Sequence, residues 1–194
     1  MLEDRVGVFV CHCGTNIAGT VNCQRVTEAI VQTDVALVRE HAYMCTGGQA
    51  QILCDIEEYS LDRIVVAACS PRIHEETFQE VCKEAGMNPY MMEMVNIREQ
   101  CSWCHAHEPD AATQKAIDLV LMGIERVRLN QPLTAIEVPM TKRALVIGGG
   151  ISGIQASLQL ADLGHHVIMV EKSPTIGGKM AQLNKIFPDQ NCSP

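Results

Sequence analysis

The sequence predicts an α/β protein with an N-terminal parallel α/β domain, in which cysteines occupy the strand-end loops, followed by the start of a Rossmann-like domain. Short apolar runs alternate with amphipathic segments, as in parallel strands joined by helices. Several of these runs end at cysteines, and one runs directly into a glycine-rich loop. We place the first domain, with its helical connector, at residues 1–140 and the second at residues 141–194.

The first domain is predicted to alternate strands and helices throughout. Strands are expected at residues 6–10, 35–38, 64–68 and 90–95, with the third almost wholly apolar, as in strands buried on both faces. Helices are expected at residues 26–32, at a segment ending near residue 59, and at residues 73–85 and 110–130. Gly86 is in position to close the third helix. Pro132 and Pro139 bracket the connector.

Composition and charge exclude several classes of protein. Of 194 residues, 47% are apolar and 20% are charged, which is typical of a core-forming globular protein. The net charge of −8 disfavours nucleic acid as a partner. No stretch approaches the roughly 18 apolar residues of a membrane span, and the acidic start lacks the features of a signal peptide. We therefore expect a cytoplasmic protein.

The ten cysteines are the unusual feature of the composition. In a reducing compartment they indicate metal or redox chemistry, because disulfides do not persist there. Cys11, Cys45 and Cys69 each follow a predicted strand, so they are expected at one edge of the sheet, with Cys13 and Cys101 within reach. Their scattered spacing leaves metal binding and a structural or thiol role equally open. The cysteines expected to be small buried hydrophobes are Cys23, Cys54 and Cys82.

Two further sets of residues are candidates for ligands or redox groups. Cys101 and Cys104 form a Cys-x-x-Cys pair, which is compatible with thiol-disulfide chemistry. Isolated histidines are more often surface or hydrogen-bonded residues than ligands. None of the candidates His12, His74, His105 and His107 is therefore assigned to a metal.

The strongest motif lies in the second domain. A strand at residues 143–147 leads into Gly148, Gly150 and Gly153, followed by a helix at residues 154–163 and a second strand at residues 166–170 that ends at Glu171. In this context the glycines permit a tight turn, close approach to a pyrophosphate and helix packing, while the acid binds a ribose hydroxyl. The motif therefore predicts dinucleotide binding.

The continuation favours FAD over NAD. It resembles the segment of flavin oxidoreductases in which a Gly-Gly pair follows the ribose-binding acid. The candidate cofactor-binding residues are Gly148, Gly149, Gly150, Ile151, Ser152, Gly153, Glu171, Lys172 and Gly178.

Four segments together resemble the A-type subunit of heterodisulfide reductase and its homologues in electron-bifurcating complexes. They are VFVCHCG at residues 8–14, VAACSPRIHE at 66–75, NIREQCSW at 96–103 and GGKMAQL at 177–183. The resemblance covers essentially the whole chain. It implies an N-terminal domain with a 4Fe-4S cluster, then a thioredoxin-reductase-like FAD domain, with ferredoxin modules elsewhere in the full-length protein.

The resemblance also implies the ligands and partners. With the strand-end positions, it nominates five cysteines for four ligand places: Cys11, Cys13, Cys45, Cys69 and Cys101. Cys11 and Cys13 are too close in sequence for easy joint ligation of one cubane, so one of the two is expected beside the cluster. No catalytic side chain is nominated, because the cofactors carry the chemistry.

The expected function is electron transfer between FAD and iron-sulfur clusters, in a hetero-oligomer with other heterodisulfide reductase-like subunits. Its partners would include a hydrogenase or dehydrogenase electron donor and ferredoxin. The alternative is a non-catalytic assembly or thiol redox-sensing module.

The C-terminal end departs from the family pattern. The family continues into a Cys-x-x-Cys-like pair, of which Cys192 would be the first member. We expect a truncated unit that retains FAD weakly or not at all. One hypothesis is a selenocysteine codon read as a stop, with a shortened gene or fragment as the alternative.

Overall fold

The structure is a computed structural model that describes residues 4–183, 185 and 187. It divides the chain into two compact units, residues 1–135 and 136–194. Cys192, on which the expectation about the C-terminal end depends, lies outside the described residues. Each unit is described below by itself.

The first unit is built on a four-stranded parallel sheet. Its strands are β1 (Val6–Cys11), β2 (Leu37–His41), β3 (Arg63–Ala68) and β4 (Met92–Asn96). Their order is β2-β1-β3-β4, with Gly7 paired to Leu37 on one side and to Ile64 on the other. All four carboxyl ends therefore point to the same edge of the sheet, and the predicted fold class is confirmed.

Four helices connect and cover these strands: α1 (Cys23–Val31), α2 (Gln49–Glu58), α3 (Pro71–Glu84) and α4 (Pro109–Leu129). The Asn22 side chain caps α1 by accepting a hydrogen bond from the Arg25 amide. Proline opens α3, two residues earlier than predicted, because its fixed φ suits the first turn. Gly86 follows α3 with φ +74°, which confirms its predicted closing role.

Burial of the central strands defines the core. Every residue of β1 is buried, so both faces of the sheet are covered there. Helix α1 packs against α4, and α2 packs against α3. Cys23 and Cys82 are buried as predicted, but the prediction for Cys54 is wrong. Cys54 lies on the exposed face of α2, whose buried face carries Ile52, Asp55 and Ile56.

The second unit contains one parallel strand pair and its crossover helix. Strands β5 (Arg143–Ile147) and β6 (His166–Val170) flank α5 (Ile151–Asp162). The helix begins three residues before the predicted start, because the backbone becomes helical directly after Gly150. This is the expected Rossmann-like beginning. Within the described residues of the whole chain, no helix is both long and apolar enough to cross a bilayer.

One charged residue stands out within the first unit. Asp55 has no solvent exposure, and its carboxylate accepts hydrogen bonds of 2.9 Å from Arg39 Nε, Arg39 Nη2 and Gln51 Nε2. These hydrogen bonds offset the cost of burying the negative charge beside the apolar residues of α2. The pair ties α2 to the edge strand β2.

We predict that Asp55→Asn lowers the free energy of unfolding by about 2 kcal/mol, the range for losing hydrogen bonds to a charged group. Urea denaturation of the full chain measures the change. Asp110→Asn is the matched control, because the Asp110 side chain is 98% exposed in its ion pair with Arg25. Equal losses in the two variants would contradict the role given to Asp55.

Candidate functional site

The loop after β1 carries two thiols within a strained turn. Cys11 ends the strand and is buried, while Cys13 has φ +39° and is followed by Gly14 at φ +51°. A residue other than glycine is rarely left-handed, and such strain gathers at functional sites. The Cys13 amide donates a 2.9 Å hydrogen bond to the Ala42 carbonyl, which fixes this loop against the one that follows β2.

The loop after β2 brings a third thiol to the same edge. The Met44 amide donates a hydrogen bond to Cys11 Sγ at 3.5 Å, so the residue next to Cys45 contacts the first thiol directly. The Tyr43 carbonyl accepts hydrogen bonds from the amides of Gly47 and Gly48, which closes this loop into a compact turn before α2. Cys45 is thus held beside the loop of β1.

The fourth thiol follows β3. Cys69 is buried and comes just before Pro71, which starts α3. The Ile97 amide donates a 2.9 Å hydrogen bond to the Ala68 carbonyl, which joins the ends of β3 and β4. Because β3 adjoins β1, Cys69 lies on the other side of the β1 loop from Cys45.

The loops after β1, β2 and β3 thus bring four thiols to one edge of the sheet, and we call them the thiol cluster: Cys11, Cys13, Cys45 and Cys69. Burial raises the pKa of Cys11, where amide hydrogen bonds oppose the rise and the charges of Cys13 and Cys45 add to it. Burial also raises the pKa of Cys69, opposed by the charge of Arg98 and increased by Cys45 and Cys11. Their mutual influence indicates that the sheet edge brings them together.

Cys101, the fifth nominated thiol, has different neighbours. It is fully buried within a π-helical turn, Arg98–Ser102, a rare conformation that is frequent at functional sites. Burial raises the pKa of Cys101 to about 11, with Lys115 opposing the rise and Cys104 adding to it. Its electrostatic partners are therefore residues of its own loop and of α4 rather than the thiol cluster.

The donors of the thiol cluster are of the type that binds iron in iron-sulfur clusters. Within the described residues, no three or more His, Cys, Asp or Glu side chains are arranged to hold one metal ion. Four soft thiol donors are nevertheless gathered at one edge, and thiolates are the characteristic ligands of iron-sulfur clusters. Such a cluster contributes its own sulfides and iron atoms, so its ligands need not converge on one point.

The second unit holds a cleft of about 350 Å³ at its glycine loop. It is lined by Ile147, Gly148, Gly150, Ile151, Ser152, Gly153, Gly177, Lys179 and Met180. A Cβ on Gly150 would meet no atom within 4 Å, whereas one on Gly153 would lie 1.8 Å from the Gly148 carbonyl oxygen. Gly153 therefore permits close backbone packing, and Gly150 leaves open the space above the N-terminus of α5, which favours an anion.

The Glu171 side chain is hydrogen-bonded to the glycine loop. One carboxylate oxygen accepts a 2.6 Å hydrogen bond from the Gly149 amide, and the other accepts a 2.8 Å bond from the Ser173 amide. These amides lower the pKa of Glu171, so the group remains an anion that can accept hydrogen bonds from hydroxyls. Its position at the end of β6 is that of the acid in dinucleotide-binding units.

The predicted cofactor residues fall into two groups. Gly148, Gly150, Ile151, Ser152 and Gly153 line the cleft. The lining of this cleft does not include the remaining four predicted residues: Gly149, Glu171, Lys172 and Gly178.

Sequence reasoning missed two basic residues. Lys179 is a cationic residue in the lining of the cleft, and the charge of Arg98 acts on Cys69 of the thiol cluster. Basic residues close to each motif were the available signal. His12 and His105, which the sequence does not assign to a metal, pair instead with Glu40 and Glu108.

Comparison with known proteins shows which family this chain is similar to. Residues 144–189 match the family model for FAD dependent oxidoreductases. An A-type iron-sulfur subunit of CoB-CoM heterodisulfide reductase from Methanopyrus kandleri is 56% identical over 98% of this chain. The chain is homologous over its length to the A-type subunit of heterodisulfide reductase.

Other relatives of the same type agree. The corresponding subunit of a ferredoxin/F420H2-dependent CoB-CoM heterodisulfide reductase from Methanosarcina acetivorans is 53% identical over 97% of the chain. That of an H2:CoB-CoM heterodisulfide, ferredoxin reductase from Methanothermobacter thermautotrophicus is 49% identical over 100%. The chain spans 29%, 24% and 30% of the length of these three relatives. The relatives are named as reductases, which agrees with the oxidoreductase expected from the sequence.

We predict that Gly150→Ala affects nucleotide binding and that Gly153→Ala affects folding of the second unit. Gly150→Ala should keep the amide hydrogen-exchange protection of β5 and α5, because its Cβ enters open space, but weaken binding of ADP by about tenfold, or roughly 1.4 kcal/mol, by filling the anion site. Gly153→Ala should lose that protection, because its Cβ overlaps the backbone.

Hydrogen exchange and an ADP titration followed by NMR measure the two effects. Unchanged ADP binding by Gly150→Ala would show that the cleft is not the nucleotide site.

Proposed function

We propose that this chain is an electron-transfer segment of a protein like the A-type subunit of heterodisulfide reductase, with a 4Fe-4S cluster in the first unit and FAD at the second. The observation that carries the proposal is the gathering of four thiols, from three separate loops, at one edge of a buried sheet. When bound, the cluster supplies one-electron transfer, and the flavin exchanges electron pairs for single electrons.

The first unit supplies ligands and a dry environment. Cys11, Cys13, Cys45 and Cys69 are the proposed ligands, which departs from the expectation that only one of Cys11 and Cys13 binds. The left-handed backbone at Cys13, with φ +39°, is the proposed reason that both thiols of this short segment can serve. Burial of Cys11 and Cys69 keeps water from the sulfur atoms on the side of the core. The hydrogen bond from the Met44 amide to Cys11 Sγ stabilises negative charge on that sulfur.

The second unit supplies contacts to the ADP part of the flavin nucleotide. The open space at Gly150 and the amides at the N-terminus of α5 receive the pyrophosphate, with the Lys179 side chain as an additional cation in the cleft. Glu171 accepts hydrogen bonds from the adenosine ribose. These contacts bind and orient the nucleotide and involve no proton transfer by the chain.

The names of the relatives support the proposed partners. The names of those relatives mention ferredoxin, F420H2 and H2 together with the CoB-CoM heterodisulfide. We propose that this chain works in a cytoplasmic hetero-oligomer with other heterodisulfide reductase-like subunits. A hydrogenase or dehydrogenase would be the donor, ferredoxin an acceptor, and flavin-based bifurcation the mode of the whole assembly.

A thiol redox module is the second candidate, and one observation favours it. Cys104 is exposed, and Lys115 Nζ lies 3.8 Å from its sulfur, so an accessible thiol has a cation beside it. In that case reversible thiol oxidation, rather than iron, would account for the cysteines. The two functions differ in their requirement for iron.

We predict that the full chain, reconstituted anaerobically with iron and sulfide, binds about four irons, the content of one 4Fe-4S cluster. Cys69→Ala should lose the iron and the EPR signal of the reduced protein, because one of the four proposed ligands is removed. Cys82→Ala is the matched control, since Cys82 is buried in α3 and its pKa is raised to about 12 by burial. Iron and sulfide quantitation with EPR measures the outcome.

The same experiment tests the choice of ligands. Cys101→Ala should retain its iron, because Cys101 is coupled to Lys115 and Cys104 rather than to the thiol cluster. Loss of iron from Cys101→Ala would contradict the four-thiol set while leaving cluster binding intact. An absence of iron in the unsubstituted chain would contradict the proposed function and favour the thiol module.

A further inference from the structure

Arg98 is a partly buried cation in the loop after β4, next to the loop that carries Cys69. Its side chain is only 15% exposed and lies in the first turn of the π-helical segment after β4. The preceding residue, Ile97, donates its amide hydrogen bond to Ala68, the residue before Cys69. This backbone link sets the beginning of the Arg98 loop beside the loop that carries Cys69.

Three contacts hold the guanidinium in place. Arg98 Nε and Nη2 both donate to Glu99 Oε1, at 3.2 and 2.8 Å. On another side, the Trp103 ring centroid lies 4.8 Å from the guanidinium carbon, a cation-π distance. The Trp103 amide also donates a 2.9 Å hydrogen bond to the Arg98 carbonyl. The charge is therefore held at one position.

The electrostatic effects agree with this position of Arg98 beside the loop that carries Cys69. The charge of Arg98 opposes the rise that burial causes in the pKa of Cys69. The pKa of Arg98 is in turn raised, mainly by its hydrogen bonds to Glu99 and then by the charges of Glu99, Cys69 and Cys13. Burial alone would raise the pKa of Glu99, but hydrogen bonds and the charge of Arg98 outweigh that effect and lower it. The Arg98 charge therefore acts on the Glu99 carboxylate, which it contacts, and on thiols of the neighbouring loops.

We propose that Arg98 is a positioning residue of the metal site, where its fixed positive charge favours the reduced state of a cluster held by Cys13 and Cys69. This inference rests on the proposed function. Reduction adds one electron from an external reductant and breaks no bond. The guanidinium of Arg98 stabilises the added negative charge. Glu99 weakens this stabilisation, because its carboxylate partly neutralises the guanidinium.

The expected effect follows from the size of charge interactions at short range. An opposite charge close by shifts a proton equilibrium by roughly tenfold or more. We expect a shift of the same order in the one-electron equilibrium, and tenfold corresponds to about 59 mV. Arg98→Gln should lower the midpoint potential by that amount, Arg98→Lys should restore most of it, and Glu99→Gln should raise the potential.

The test uses the reconstituted full chain in an EPR-monitored titration with dithionite, with iron content measured on each sample. Arg126→Gln is the matched control, because Arg126 pairs with Glu93 at 3.2 Å and its side chain is 72% exposed. A full iron content with opposite shifts in Arg98→Gln and Glu99→Gln supports the proposal. An unchanged potential in Arg98→Gln at full iron content overturns it and leaves the proposed function standing.

Two remaining outcomes are also decisive. Loss of iron from Arg98→Gln but not from Arg98→Lys would give Arg98 a role in retaining the cluster and overturn the role in its potential. If Arg98→Gln does not fold, the direction of the Glu99→Gln shift decides, and an absent shift overturns the proposal. An unsubstituted chain without iron removes the proposed function and this inference together.

Discussion

Burial of β1 and β3 on both faces constrains every other feature of the first unit. A parallel sheet covered by helices has no face on which water, a ligand or a charged side chain is easily accommodated. The strand ends are the places where the backbone leaves this dry layer, and there the chain can present polar or reactive atoms. Cys11 and Cys69 lie at that border: they are desolvated by the core, yet within reach of other loops.

The two candidate sites are built in opposite ways. In the first unit, chemistry depends on side chains that different strands deliver to one edge. In the second, it depends on the absence of a side chain, since the open space at Gly150 and the tight contact at Gly153 both require glycine. A site of the first kind requires a folded sheet of the right order, whereas a site of the second kind is contained in a single strand-loop-helix segment.

This difference explains how much the sequence could predict. The glycine loop, its flanking strands and Glu171 were predictable because they are local, and only the start of α5 was misplaced. The apolar strands and the cysteines that follow them were also predictable from their spacing. The order β2-β1-β3-β4 was not, because strand order depends on packing between distant segments. Cys54 was misjudged because its orientation depends on which face α2 buries. The role proposed for Arg98 was also out of reach, because it depends on a π-helical turn that the sequence does not reveal.

The strand order also dictates a sequence of events during biogenesis. Ferredoxin-type ligands can come from a compact run of cysteines. Here the thiols at residues 11, 13, 45 and 69 become neighbours only after β1 is inserted between β2 and β3. Under the proposed function, the sheet has to form before iron and sulfide are delivered, and four reduced thiols have to be protected on a folded apoprotein. Maturation of the proposed cluster would then be a separate step after folding, with donors that recognise a native surface rather than an unfolded chain.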